Sequence, residues 1–116
     1  MNAYTAAQRA KDKDKFITAA IRFQEVGQKV AEANQAALSA IRPNFYPPDV
    51  KSTQARQTWD KKMEDIRRTL NSANQSLGNF ILPTELSPES ARSVERYIRE
   101  IDQAIEVHHA ASLNIR

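Results

Sequence analysis

From residue 16 onward, apolar side chains return every three or four residues in three separate runs, and a proline follows each of the first two. The first run is Phe16, Ala19, Phe23, Val26, Val30, Ala33, Ala37 and then Ala40 or Ile41, ahead of Pro43. The second is Trp59, Met63, Ile66, Leu70, Ala73, Leu77 and then Phe80 or Ile81, ahead of Pro83. The third is Ala91, Val94, Ile98, Ile101, Ile105 and then Ser112 or Ile115. An alternation of threes and fours places one narrow apolar stripe along a helix, as in a coiled-coil seam. Proline cannot continue the amide ladder and restrains the residue before it, so Pro43 and Pro83 separate the helices.

The chain is therefore expected to be all-α, with helices over about 16–42, 52–82 and 88–114. Seams of about 26 residues, each roughly 39 Å long, joined by short connections, fold most simply as an antiparallel up-down-up three-helix bundle. The N-terminal helix is expected to be the longest, because residues 1–15 precede its seam and form an overhang, a frayed or extended helix. Residues 16–116 then make one helical-bundle domain. Only Gly27 and Gly78 interrupt a composition rich in good helix formers. The start of the third helix has the clearest local signature: in "LSPESA", Ser87 suits the N-cap, Pro88 the first turn and Glu89 the helix dipole.

Several chemistries are disfavoured by what the sequence lacks. Without cysteine there is no disulfide and no thiolate, which fits a reducing compartment, and a cytoplasmic location is expected. No stretch approaches the roughly 20 apolar residues of a membrane span, and the N-terminus has no signal-like apolar core. Glu106 and His108–His109 include a Glu-x-x-His pair of the kind found in di-iron bundles, but the other two seams supply no carboxylate, so no metal and no cofactor are expected. No nucleophile elbow or glycine-rich phosphate loop is present, and no enzyme is expected.

The net charge of +3 is spread along the chain, with residues 83–116 carrying more acid than base. A nucleic-acid-binding bundle would use Lys11, Lys13 and Lys15 together with Arg92, Arg96 and Arg99, whose spacing could follow phosphates. Acidic neighbours oppose this: the lysines alternate with aspartates, Glu95 to Arg99 and Glu64 to Arg68 are favourable helical pairs, and Asp65 follows Lys61 at the same spacing.

Departures from the seams point instead to another protein or a second copy. Ile17 and Ile21 lie off the stripe of Phe16, Phe23 and Val30, and Tyr97, Ala104 and Ala111 form a second stripe beside the main seam of the third helix. In the loop "IRPNFYPPDV", Phe45 is expected to plug the end of the bundle and Tyr46 to remain wet and open to a partner. The expected function is a non-enzymatic protein-binding module, of the adaptor, inhibitor, immunity or secretion-associated type found in small bacterial and phage-like proteins. Its expected contact residues are Ile17, Ile21, Tyr46, Tyr97 and Ala104, with self-association as one form of binding.

Overall fold

A computed structural model describes residues 2–42 and 44–115; Met1, Pro43 and Arg116 lie outside the description, as do the side chains of residues 2–5 and of Ile115. Three helices, α1 (Asn2–Ala40), α2 (Thr53–Gly78) and α3 (Pro88–Ile115), all pack against one another, and no strand is present among the described residues. The fold is an all-α three-helix bundle. Side-chain contacts order it up-down-up: Asn34 of α1 meets His108 of α3, Gly27 meets Tyr97, and Asn34 also meets Asn74 of the antiparallel α2.

Local chemistry sets the helix ends. Ser52 caps α2, its hydroxyl accepting from the Ala55 amide at 3.0 Å. Ser87 caps α3 by accepting from the Ser90 amide at 3.1 Å, while the Ser90 hydroxyl accepts from the Ser87 amide at 2.8 Å. That is a capping box with serine in the place usually taken by glutamate. Two ends fall short of expectation. α1 stops at Ala40, and Asn44 adopts a left-handed φ of 62°, a conformation asparagine tolerates better than most residues. α2 stops at Gly78, four residues before Leu82, so Ile81 is 81% exposed while Phe80 turns inward.

The molecule is 76 Å long but only 18 × 16 Å across. α1 runs without interruption from Asn2, and residues 6–15 are all exposed, so its first turns stand beyond the other two helices.

The buried line of α2 is the expected one, Met63, Leu70 and Leu77, flanked by half-buried Trp59, Ile66 and Ala73. On α1 the buried line is Ala20, Gly27 and Asn34, one residue per heptad and continued by Ile41 just past the helix, while Val26 is left 45% exposed. On α3 it is Val94, Tyr97, Ile101, Ala104 and Ala111, and Ile105 is left 46% exposed. Both helices are thus rotated by roughly 50°, about one heptad row, from the orientation that hydrophobicity alone selects. Tyr97 and Ala104, expected on an outer face, are core residues.

The physical reason lies in size. Tyr97 stacks on Phe80, with ring centroids 3.9 Å apart and planes 7° from parallel, and its hydroxyl end fills the space that a β-carbon at Gly27 would need. A large ring from α3 enters where α1 has no side chain, so the smallest residue of α1 becomes its most buried line.

The two glycines therefore predict opposite responses. At Gly27 a β-carbon would overlap the Tyr97 ring edge, and at Gly78 it would meet nothing within 4 Å. Gly27→Ala is expected to destabilise by about 1–2 kcal/mol, overpacking outweighing the gain in helix propensity of roughly 1 kcal/mol. Gly78→Ala is expected to stabilise by about 0.4–1 kcal/mol. Urea midpoints check both; a gain at Gly27 would show that Tyr97 does not occupy the place given to it.

Candidate functional site

One polar layer crosses the middle of the bundle and defines which flank of each helix faces which neighbour. With the Nδ1 proton on His108, that nitrogen donates to Asn34 Oδ1 at 3.0 Å, and Asn34 Nδ2 donates to Asn74 Oδ1 at 3.2 Å. Asn74 Nδ2 donates in turn to the Ala31 carbonyl at 3.2 Å, and the Ser112 hydroxyl lies 3.5 Å from His108 Nε2. Asn34 is fully buried, and no buried side-chain polar atom among the described residues lacks a partner. His108 thus belongs to a core network. His109 is exposed, and among the described residues no group of three or more His, Cys, Asp or Glu is placed to hold a metal ion.

The layer and the surface clefts orient the flanks. Gln24, Gln28 and Ala31 border a cleft with Asn74, Leu77 and Gly78, so that flank of α1 faces α2. Phe23 and Val30, on the opposite flank, face α3 and pack on the cluster that includes Tyr97 and Ile101. On α3, Glu100 and Val107 border clefts shared with α2, which leaves Ile98, Ile105 and Ser112 on the flank toward α1.

The groove between α1 and α3 is consequently lined along one wall by Ala19, Val26, Ala33 and Ala40, spaced by sevens. Along the other it is lined by Ala91, Ile98, Ile105 and Ser112, at the same spacing. Phe16, Phe23 and Val30 form its half-buried floor. A surface depression of about 620 Å³ lies against α1 alone, bordered by Asp14, Thr18, Ala19, Arg22, Phe23 and Val26. The other two grooves are mixed: Gln24, Gln28 and Asn74 line one beside Ala31 and Leu77, and the other passes from Thr69, Ser72, Ser76 and Gln103 to Ile66, Val107 and Ala110. A continuous apolar stripe between two helices is what an amphipathic helix can cover.

The residues singled out from the sequence are dispersed. Ile17 is half-buried and Ile21 is 39% exposed, but both belong to the α2-facing side of α1, among Gln24, Gln28 and Gln35. Tyr97 and Ala104 are interior and reach no partner. Phe45 and Tyr46 exchange the places expected of them: Phe45 is 57% exposed, whereas Tyr46 is half-buried and its hydroxyl donates to Asp60 at 2.9 Å. That hydrogen bond, then desolvation and the Asp60 charge, raise the Tyr46 pKa, while Arg56, 5.2 Å from the ring centre, opposes the rise. The loop is thereby fastened along the first turns of α2.

The basic residues do not converge. Lys11, Lys13 and Lys15 are exposed on the projecting part of α1, where alternate residues point to opposite sides. Arg92, 3.8 Å from Glu89, shares one exposed stripe of α3 with Arg96 and Arg99, which the α1 lysines do not join. Glu64 pairs with Arg67 at 3.0 Å rather than with Arg68, and among the described residues Glu95 and Arg99 form no ion pair.

Val26 and Ile105 were legible only as core residues, because a hydrophobic stripe does not say which of its edges remains open. A signal was present: on each helix the apolar stripe is wider than a three-helix interior needs. No protein-family model, curated protein or solved structure matches the chain.

The polar layer makes its own prediction. Asn34→Ala leaves His108 and Asn74 without their shared partner and is expected to cost about 2–3 kcal/mol. Replacing Asn34, Asn74 and His108 together by leucine is expected to recover that loss, with a less uniquely packed core. Chemical denaturation and amide chemical-shift dispersion read the two effects; a silent Asn34→Ala would show that the layer is not formed.

Proposed function

We propose that this chain is a non-enzymatic protein-binding module that takes a helix into the apolar groove between α1 and α3. The supporting observation is the pair of half-exposed branched residues, Val26 at 45% and Ile105 at 46%, on facing walls of one groove whose repeat is sevenfold on both helices. A docked helix with the same repeat would bury both and turn the three-helix bundle into a four-helix arrangement. The proposal keeps the class of function expected from the sequence and moves its surface from Ile17 and Ile21 to the opposite flank of α1. Tyr46 stays as a fixed element of the α2 end, without a role in docking. Binding of nucleic acid has no comparable support, since Lys11, Lys13 and Lys15 point to different sides of α1 and do not extend the arginine stripe of α3.

Photocrosslinking inside the native host tests this. A photoreactive residue at position 26 or 105 is expected to give discrete protein adducts, and one at exposed Thr58 on α2 none. Val26→Asp with Ile105→Asp is expected to reduce adduct formation from a nearby reporter at Ala33 by about tenfold or more. Because both positions are half-exposed, the double change should alter stability by only about 1 kcal/mol. Adducts of equal strength from all positions, or from none, would remove the groove as the docking surface.

A further inference from the structure

We propose that the helix pair entering this groove is supplied by a second copy of the chain, docked parallel, with α1 of each copy lying across α3 of the other. This inference rests on the groove being a helix-docking surface and goes on to name its occupant. The reason is the charge along its two rims. Beside the α1 wall, at seven-residue spacing, stand Lys15, Arg22 and Lys29; beside the α3 wall stand Glu95 and Asp102, also seven apart. All five are exposed, and the ion pairs within the described chain, Arg67–Glu64 and Arg92–Glu89, use none of them. Glu25 and Glu32 of α1, and Arg92 and Arg99 of α3, lie one row farther from the groove.

Heights along the bundle decide whether these charges can meet. Asn34 lies level with His108, a difference of 74, and Gly27 with Tyr97, a difference of 70, so α1 and α3 are offset by about 72 positions. Arg22 is then level with about position 94 and Lys29 with about position 101, within one helical turn of Glu95 and Asp102 and in reach of long basic side chains. A two-fold axis running along the groove, parallel to the helices, preserves height and exchanges α1 with α3. It brings Arg22 against Glu95 of the second copy and Lys29 against Asp102 of the second copy, each contact occurring twice.

The same operation stacks matching apolar layers. Val26 is level with Ile98, and Ala33 with Ile105, so Val26 of one copy faces Ile98 of the other and Ala33 faces Ile105. A perpendicular two-fold axis would instead set α1 against α1, opposing like charges along the rim, which costs rather than contributes. Size agrees as well. The groove from Phe16 to Ala40 is roughly 37 Å long. With a bundle 18 Å wide, it offers about 650 Å² per copy, within the range of specific interfaces.

The test is the solution mass of the full chain. The wild type is expected to form a species of twice 13.1 kDa at concentrations up to about 1 mM, weakening as salt rises. Arg22→Glu with Lys29→Glu, and separately Glu95→Lys with Asp102→Lys, are each expected to weaken self-association by about tenfold or more, with helical circular dichroism unchanged. Mixing the two reversed variants is expected to restore a dimer containing one of each, which unfolded variants could not do. A wild type that stays monomeric throughout overturns self-docking. If groove crosslinks to a different protein persist in that case, the docking groove stands without this occupant. A dimer indifferent to both charge reversals overturns the parallel arrangement.

Discussion

The hydrogen-bonded layer of Asn34, Asn74 and His108 is the constraint on which the rest of the bundle depends. Apolar contacts are tolerant of sliding, because one methyl group packs against another at many offsets along a helix. Amide and imidazole groups are not: displaced by one residue, each would lose its partner in a dry interior, at a cost of about 1–3 kcal/mol per group. A single layer drawing one residue from each helix therefore sets the height of all three. The layer and the Gly27–Tyr97 contact, with offsets of 74 and 70, agree on the register to within about one helical turn. Buried polar residues of this kind contribute more to the uniqueness of a helical assembly than to its stability.

With register set by the layer, rotation is set by bulk. Tyr97 is the large side chain of α3 that enters the core, and Gly27 is where α1 admits it. Turning α1 and α3 to bring these two together draws Ala20, Asn34 and Ala104 inward and carries Val26 and Ile105 outward. The apolar residues excluded in this way are not scattered. Both helices turn toward α2, so the leftover flanks converge on the single groove that α2 does not cover. The open apolar groove and the Gly27–Tyr97 contact are two consequences of one rotation.

The ends of the molecule obey a different logic. At the α2 end, the Tyr46–Asp60 hydrogen bond and the Arg56 guanidinium hold the proline-rich loop against the first turns of the helix, while Phe45 remains at the surface. A phenol satisfies its hydroxyl on an exposed carboxylate and still covers apolar surface with its ring, which phenylalanine cannot do. At the other end, α1 continues through alternating charges with Gln8 donating to Asp12 at 3.0 Å, and its alanines at positions 6, 7 and 10 are all exposed.

The sequence by itself determined the helical class, the number of helices, the cap of α3 and the whole seam of α2, because periodicity and proline act locally and do not require knowledge of neighbours. It also showed that α1 and α3 carry more apolar surface than a small bundle needs. Only the tertiary structure decided which part of that surface is core. A hydrophobic stripe weighs Val26 above Gly27 and Ile105 above Ala104, whereas packing ranks positions by shape, and a glycine opposite a tyrosine is buried because of what it lacks. Asn34 and His108 were unreadable for a related reason: a polar residue becomes interior only when a partner on another helix meets it, and that meeting exists only in three dimensions.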